Sequence, residues 1–203
     1  MMDRIVIATH NPGKLAEFQR ILRHVPITLD DLRGFPKAPK MVEDADSYHG
    51  NALLKAQAIA AHTGLPALAD DSGLEVDALD GAPGIKSARF GGEHAGFDIK
   101  LPSLLALLKD VPIARRGACF RCALCLVDPQ QNSGAPIFTE GCLLGYISAE
   151  PRGKQGFGYD PVFVPTGSDR TLAELSRAEK DQLSHRGQAL RKLLAFLPGA
   201  QAH

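Results

Sequence analysis

Two adjacent carboxylates in the middle of the chain, Asp70 and Asp71, are the side chains best suited to chemistry. They follow a short apolar run, Leu65–Leu68, and precede Ser72 and Gly73. Because neighbouring side chains of a strand point to opposite faces, the two carboxylates cannot share one task while the strand continues. We expect one of them to face a ligand and the other to brace the fold. A simple turn is the alternative, since Asp, Ser and Gly are common turn residues.

A second candidate is the polar segment Thr9–Lys14, which lies between a predicted strand and a predicted helix. A glycine-containing loop in this place presents backbone N–H groups and the positive end of a helix dipole to an anion, and Lys14 adds a full charge. The segment lacks the spacing and the second glycine of a Walker A loop. The sequence therefore predicts an anion site here, with a capped turn and a solvated lysine as the alternative.

Further cations lie on two predicted helices. Lys55 follows Asn51 by four residues, so the two share one helix face beside an apolar stripe. Such a lysine either reaches a phosphate or extends its ammonium group to water. His185 and Arg186 fall in the first turn of the last helix, predicted from Ser184 to Leu197, where the helix dipole disfavours cations. A bound ligand would explain that placement.

The elements that must position these residues alternate between strands and helices. The apolar run Arg4–Ala8 is typical of a strand buried on both faces, as in an α/β sheet. Arg116–Asp128 and Ile137–Ser148 are β-rich runs joined by a turn-rich connector, which predicts a long antiparallel hairpin. Thr171–Glu174 and Ser176–Glu179 each match a capping box and predict helix starts. Together these patterns predict an α/β fold with a mixed sheet.

Length and composition exclude several classes of protein. A chain of 203 residues is long enough for one domain with a buried core. Its 23 basic and 23 acidic residues cancel, so it lacks the electrostatic footprint of a nucleic-acid or membrane-surface binder. Its apolar runs fall short of the roughly 18 residues of a membrane span, and the first one is too short for a signal peptide. We therefore expect a cytoplasmic protein with no nucleic-acid or membrane partner.

The cysteines raise the question of a metal site. Cys119, Cys122 and Cys125 have the spacing of a metal knuckle, and Cys142 follows. A strand over Gly117–Asp128 would instead place Cys119 and Cys125 on one face and Cys122 on the other. We interpret these residues as small buried hydrophobic groups, and we expect no disulfide in a cytoplasmic chain.

Six segments of the chain carry a resemblance to a known family. In order they are Ala8–Lys14, Asn51–Ala56, Ala69–Leu74, Gly81–Arg89, Gly156–Pro161 and Glu179–Gly187. In these motifs, and over nearly the whole chain, the sequence resembles the non-canonical purine nucleoside triphosphate pyrophosphatases, or inosine triphosphate pyrophosphatases. The resemblance implies hydrolysis of the triphosphates of inosine, deoxyinosine and xanthosine (ITP, dITP, XTP) to the monophosphate and pyrophosphate, with Mg²⁺ as the cofactor.

The resemblance also implies an architecture. Residues 1–203 would form a single domain, with a mixed twisted sheet, flanking helices and two lobes around a nucleotide cleft, and the long hairpin in one lobe. The family usually assembles as a homodimer. The departures from the family pattern are His10, Tyr48–Gly50 and Pro102. We expect a helix to begin near Pro102, because proline is tolerated in the first turn of a helix.

Site residues follow from the resemblance position by position. Asp71 becomes the proton acceptor and, with Glu43, a ligand of Mg²⁺. These two roles of Asp71 conflict, because a carboxylate bound to Mg²⁺ has a lowered pKa and is a poor base. The Thr9–Lys14 loop and Lys55 would bind the triphosphate, with Lys180 as a third candidate cation. His185 and Arg186 would line the site of the purine base. The implied substrate-binding set is Thr9, His10, Asn11, Pro12, Gly13, Lys14, Lys55, Ser72, Phe157, Gly158, Tyr159, Asp160, Lys180, His185 and Arg186.

Two other functions stay open beside the implied one. One is a related nucleotide diphosphatase that prefers a different base. The implied function instead requires hydrogen-bond donors for a 6-oxo purine, and such a site rejects ATP because adenine leaves those donors unpaired. A non-catalytic nucleotide-binding protein would be expected to lack Asp71, Lys14 or Lys55, and all three are present.

Overall fold

A six-stranded mixed sheet organises the computed structural model, which describes residues 2–92, 94–130 and 135–199. The strands are β1 (Arg4–Ile7), β2 (Thr28–Asp31), β3 (Ala67–Val76), β4 (Gly117–Val127), β5 (Ile137–Ile147) and β6 (Phe163–Pro165), in the sheet order β2–β1–β3–β4–β5–β6. β1 is parallel to β2 and β3, whereas β5 and β6 are antiparallel. The predicted α/β class with a mixed sheet is confirmed.

Of the α-helices in the described ranges, the first three lie between strands along the chain and the last two follow β6. They are α1 (Pro12–Ile21), α2 (Tyr48–Thr63), α3 (Phe97–Leu107), α4 (Arg177–Leu183) and α5 (His185–Leu193). Both predicted capping boxes are present, at Thr171 with Glu174 and at Ser176 with Glu179. None of the described helices is both long enough and apolar enough to cross a membrane.

The chain divides into two compact units. Unit 1 takes the described residues of Met1–Asp71, Cys122–Gly141 and Arg186–His203, and unit 2 those of Ser72–Arg121 and Cys142–His185. The boundary between the units falls after Arg121, inside β4, and after Gly141, inside β5. Both 11-residue strands therefore contribute to both units. The placement of the hairpin in one of two lobes stays a prediction. Part of its predicted connector at 129–134, residues 131–134, lies outside the described residues.

The core of unit 1 is built on both faces of β1. Ile5 and Ile7 belong to an apolar cluster with Phe18 of α1 and Leu190 of α5. Val6, the residue between them, belongs to a second cluster that includes Ala52, Ala56 and Ile59 of α2. Because strand side chains alternate, this division covers both faces with helices, as the continuous apolar run predicted.

Unit 2 has its own core, and α3 differs there from the prediction. Leu104 of α3 is buried in a cluster with Leu74, Phe120 and Phe163. The helix begins at Phe97, so Pro102 lies in its interior and the predicted start near Pro102 is wrong. Proline removes one intrahelical hydrogen bond, and the burial of the following apolar residues offsets that loss.

The cysteines follow the strand interpretation with one exception. Cys122 and Cys125 are free and buried, as expected. Cys119 and Cys142 are paired as a disulfide with their Cα atoms 6.5 Å apart, so the expectation of no disulfide is wrong for this pair. The physical reason is that β4 and β5 are neighbours in the sheet, which brings together two residues 23 positions apart in the chain.

The packing of α5 can be tested by truncating Leu190, which is fully buried among α1, α5 and the strands of unit 1. We expect Leu190→Ala to lower the free energy of unfolding by about 2–5 kcal/mol, because it removes buried apolar area and leaves a cavity. Leu54→Ala is the matched control, since Leu54 is 39% exposed and should change stability by about 0.5 kcal/mol or less. Urea denaturation measures both, and equal losses would contradict the described core.

Candidate active site

The two central carboxylates lie on one unbroken strand. β3 runs from Ala67 to Val76 through Asp70 and Asp71, so the turn alternative is wrong. Asp70 is 1% exposed and Asp71 is 5% exposed. Asp70 contacts Lys14 and Asp71 contacts Lys55, so each carboxylate has its own lysine on its own side of the strand. This division follows from the alternation of side chains along a strand.

On its side of the strand, Asp71 contacts two groups of unit 1, and one of them also contacts Glu43. Asn51 Nδ2 donates to Asp71 Oδ2 at 3.1 Å, and Lys55 Nζ lies 3.1 Å from Asp71 Oδ1. The same ammonium lies 2.6 Å from Glu43 Oε1. Asn51 also accepts from the backbone N–H of Ala45 at 3.0 Å, which ties the segment carrying Glu43 to α2. The structure thus brings Asp71, Glu43 and Lys55 together, as the family pattern implied.

Burial and charge set the protonation of this cluster. Burial raises the pKa of Asp71, and Glu43 raises it further, so that the opposing charge of Lys55 is outweighed. Burial lowers the pKa of Lys55, but the charges of Asp71, Asp70 and Glu43 outweigh it and hold that pKa above its ordinary value. Asp71 is therefore a stronger base than an exposed carboxylate, while Lys55 stays cationic.

A divalent cation suits the two carboxylates of this cluster. Asp71 and Glu43 already converge on one cationic group, the Lys55 ammonium. Mg²⁺ binds through one or two carboxylates and completes its shell with waters and substrate oxygens. Within the described ranges, no group of three or more His, Cys, Asp or Glu side chains gathers as a metal site.

The opposite face of β3 carries a buried chain of charges. Lys14 Nζ lies 2.9 Å from Asp70 Oδ2, and Arg186 Nη2 donates to the same oxygen at 3.0 Å. Arg186 Nη1 donates to Glu17 Oε2 at 2.5 Å. Burial raises the pKa of Asp70, but the charges of Lys14, Arg186 and Lys55 outweigh it and hold that pKa well below its ordinary value. Both carboxylates of this face are therefore compensated by cations.

Glu17 is a member of this cluster that the sequence analysis missed. It lies on α1 three residues after Lys14, a spacing that places both on one helix face, and this was the available signal. Arg186 is only 2% exposed, and its guanidinium contacts Asp70 and Glu17. The ring of its neighbour His185 stacks on Phe120, so these two residues, which the resemblance assigned together to the base, have different partners.

The segment Thr9–Lys14 is a loop only in its first half. α1 begins at Pro12, so the prediction of a loop through Lys14 is wrong. Asn11 caps the helix, and its Oδ1 accepts from the N–H groups of Gly13 at 2.9 Å and Lys14 at 3.1 Å. Because the cap uses these two donors, an anion here would depend mainly on the helix dipole and the Lys14 ammonium. His10 is exposed.

A second cluster, in unit 2, surrounds Phe157. Asp160 Oδ2 accepts from the backbone N–H of Phe157 at 2.7 Å and from Lys180 Nζ at 2.5 Å. The Lys180 ammonium also lies 4.4 Å from the centroid of the Phe157 ring, a cation–π contact. Gly156 has φ +74°, and a Cβ on it would lie 2.1 Å from Asp160 Oδ2. The loop therefore holds Phe157 half-buried above a buried ion pair.

Two further assigned residues of unit 2 are held by packing. Tyr159 is 4% exposed, and its hydroxyl donates to the carbonyl of Ser87 at 3.1 Å. His185 stacks on Phe120 with the ring centroids 4.8 Å apart and the planes 9° from parallel. Phe120 is another residue that the sequence analysis did not name, because its apolar character pointed only to the core. Ser72 and Gly158 are half-buried.

Comparisons with known proteins agree over nearly the whole chain. The Ham1 family model matches residues 5–196. The chain is 47% identical over 199 residues to a dITP/XTP pyrophosphatase of Frankia alni, covering 96% of each chain. It is 48% identical over 189 residues to a dITP/XTP pyrophosphatase of Geobacter sulfurreducens, covering 93% of this chain and 94% of the relative.

Two solved structures share this fold. A HAM1 protein from Coxiella burnetii has a TM-score of 0.85 and 43% identity, covering 95% of this chain and 96% of the other. A nucleoside-triphosphatase or dITP/XTP pyrophosphatase from Mycobacterium abscessus has a TM-score of 0.74 and 46% identity, covering 96% and 99% of the two chains.

The charge balance around Asp71 predicts the effect of removing Lys55. We expect Lys55→Gln to raise the pKa of Asp71 further, because the carboxylate loses the cation that favours its charged form. Lys14→Gln is the matched control, and its effect on Asp71 should be smaller because Lys14 contacts Asp70 instead. NMR titration of isotope-labelled aspartate measures both shifts. A pKa that stays constant or falls in Lys55→Gln would contradict this account.

The close approach of Gly156 to Asp160 predicts a second effect. Gly156→Ala should displace the Asp160 carboxylate and leave the N–H of Phe157 without its acceptor. Gly81→Ala is the control, because Gly81 has φ +82° and nothing within 4 Å, so that only backbone strain of about 1–2 kcal/mol is introduced. We expect Gly156→Ala to cost about 1–3 kcal/mol more in unfolding free energy. Equal losses in urea denaturation would argue against the clash.

Proposed function

The chain belongs to the Ham1 family, and we propose that it hydrolyses dITP, XTP and ITP to the nucleoside monophosphate and pyrophosphate, which removes these nucleotides from the pool. The observation that carries this proposal is the identity of 47% and 48%, over nearly the full length, with relatives named dITP/XTP pyrophosphatases. The reaction is the hydrolysis of the α–β phosphoanhydride: water supplies the attacking oxygen, the bond to the pyrophosphate group breaks, and a proton leaves the water.

Asp71 is the residue proposed to take that proton. Its pKa is raised by burial, which brings its basicity closer to what a general base requires. Asn51 and Lys55 contact its two carboxylate oxygens and hold the side chain in one orientation.

Mg²⁺ is the proposed cofactor, held by Asp71 and Glu43 together with oxygens of the substrate. When bound, such an ion neutralises phosphate charge and lowers the pKa of a bound water. Direct ligation would also lower the pKa of Asp71 and weaken it as a base, whereas Glu43 can serve the ion without that conflict. Glu43 is 31% exposed against 7% for the Asp71 side chain, which makes it the more accessible of the two ligands.

The triphosphate is assigned to the charged residues of unit 1. A nucleoside triphosphate brings about four negative charges, which call for ammonium groups and N–H donors. Lys14 and Lys55 supply ammonium groups, and the helix start at Pro12 supplies the positive end of the α1 dipole. Thr9, His10, Asn11, Pro12 and Gly13 complete the implied phosphate-binding loop, and Lys180 is a third candidate cation for the phosphates. Ser72 belongs to the implied substrate-binding set.

The purine base is assigned to residues of unit 2. Phe157 is the proposed stacking surface, because the Lys180 ammonium and the Asp160 carboxylate fix its loop. Gly158, Tyr159 and His185 complete the set that the family pattern implies. The contacts of Arg186 with Asp70 and Glu17 support a role behind the phosphate site instead of at the base.

The finer points of architecture and assembly belong to the same proposal. These are a single domain over residues 1–203, two lobes around a nucleotide cleft, a homodimer and a cytoplasmic location. Each is implied by the family resemblance, and each stays a prediction.

A substrate panel tests the proposed function. Pyrophosphate release should require Mg²⁺ and should favour ITP, dITP and XTP over ATP by a kcat/KM ratio of about 100 or more, because adenine leaves donors of the base site unpaired. Equal turnover of ATP would contradict the proposal, and preference for another base would point to a related diphosphatase.

Asp71→Asn tests the assigned base in the same assay. We expect kcat to fall by about 10²–10⁴-fold, because the amide cannot accept the proton of water. Asp30→Asn is the matched control: Asp30 is a strand carboxylate paired with Arg4, and its removal should leave turnover unchanged. Undiminished Mg²⁺-dependent hydrolysis in Asp71→Asn would remove Asp71 from the mechanism.

A further inference from the structure

Four buried or half-buried charges form a chain behind β3, and we refer to Lys14, Asp70, Arg186 and Glu17 as the Asp70 network. Lys14 and Arg186 both contact one oxygen, Asp70 Oδ2, at 2.9 Å and 3.0 Å. Arg186 Nε donates to the same oxygen at 3.3 Å, while Nη1 of Arg186 turns to Glu17. The side chains of Asp70, Arg186 and Glu17 are 1–2% exposed, whereas that of Lys14 is 17% exposed.

The exposure of Lys14 sets it apart from its partners. Lys14 is the network member proposed to bind a phosphate, and its ammonium group is engaged by Asp70. If Asp70 had no other cation, movement of Lys14 to a phosphate would leave a buried carboxylate without a compensating charge. Such an uncompensated buried charge is energetically costly. Arg186 prevents this, because its guanidinium contacts the very oxygen that Lys14 would leave.

Glu17 completes the arrangement on the far side of Arg186. The guanidinium group is planar, and it presents its donors in a fixed fork. With Nη1 on Glu17 and Nε and Nη2 on Asp70, two buried carboxylates hold that fork in one plane. The two cations and two anions of the network balance, so it carries no net charge while Lys14 rests on Asp70.

We propose that Arg186 is a positioning residue that keeps Asp70 paired and thereby frees Lys14 to bind a substrate phosphate, and that Glu17 orients Arg186 for this task. The inference rests on the proposed function, since it concerns how that site binds phosphate. Arg186 acts here through Asp70 and Lys14, so its effect should depend on the phosphates of a ligand and be independent of the base.

Binding of inorganic tripolyphosphate, measured by calorimetry, tests this independently of the base and of turnover. We expect Arg186→Gln to weaken the affinity by about 10- to 100-fold, because Lys14 is then held by Asp70. Arg186→Lys should stay within about threefold of the wild-type affinity, since it keeps a cation beside Asp70. Arg121→Gln is the control, because Arg121 pairs with Glu75 outside the network and should leave the affinity unchanged.

Two double variants separate specific pairing from overall charge. Asp70→Asn in the Arg186→Gln background should restore most of the lost affinity, because the carboxylate that holds Lys14 is gone. Glu17→Gln in that background restores only the charge balance, so the affinity should stay weak. This second variant removes both buried charges together, and it keeps the test available when Arg186→Gln alone does not fold. A failure of Asp70→Asn to restore binding, or recovery with Glu17→Gln, would overturn the proposal.

The ITP to ATP ratio of kcat/KM distinguishes this role from contact with the base. If Arg186 acts through Lys14, Arg186→Lys and Arg186→Gln should leave the ratio unchanged while KM rises for both nucleotides in Arg186→Gln. A changed ratio with unaltered tripolyphosphate affinity would assign Arg186 to the base and overturn the positioning role. Absence of ITP hydrolysis in the unmodified protein would instead refute the proposed function, and the tripolyphosphate measurement would still report on the network.

Discussion

The structure depends on the compensation of two buried carboxylates at consecutive positions of one strand. Asp70 and Asp71 are almost fully buried, and a charge removed from water in this way is costly unless a cation and hydrogen-bond donors accompany it. Since the two side chains point to opposite faces of β3, one cation cannot contact both at close range. Each face therefore has its own ammonium group, Lys14 beside Asp70 and Lys55 beside Asp71.

This requirement explains how the helices of unit 1 are used. α2 supplies Lys55 and Asn51 to Asp71, while α1 supplies Lys14 and Glu17 and the start of α5 supplies Arg186 on the Asp70 side. The same helices bury the apolar side chains on the two faces of β1, so packing and charge compensation come from the same elements. The two carboxylates consequently differ in character: the pKa of Asp71 is raised by burial, and that of Asp70 is held low by its cations. One suits proton transfer and the other a permanent ion pair.

Unit 2 uses a different principle, in which a polar pair fixes an aromatic ring. The carboxylate of Asp160 holds the loop by accepting from the Phe157 backbone, and Lys180 contacts both the carboxylate and the ring. The left-handed backbone at Gly156 leaves room for this carboxylate, which a Cβ would displace. An aromatic ring held in this way would need little ordering if a planar base stacked on it, as proposed, so that less entropy would be lost. This agrees with a family whose named members act on nucleotides that differ in their bases.

The sequence by itself determined what depends on local periodicity: the strand at β1, the capping boxes, the shared face of Asn51 and Lys55, and the motifs of the family. For Asp70 and Asp71 it gave opposite faces only on the condition that the strand continues, and the structure showed that it does. Tertiary structure alone decided the contacts between distant residues. Arg186 meets Glu17 across 169 positions, and no local pattern distinguishes that pairing from a contact with a ligand. Cys119 likewise meets Cys142 because the fold brings them together across 23 positions. Pro102 lies inside α3, where the burial of the apolar residues that follow it offsets its lost hydrogen bond. Hydrophobic periodicity and helix capping depend on residues a few positions apart, so the sequence shows them directly. The free energy of burying a charge or packing a core depends on which distant side chains the fold brings into contact.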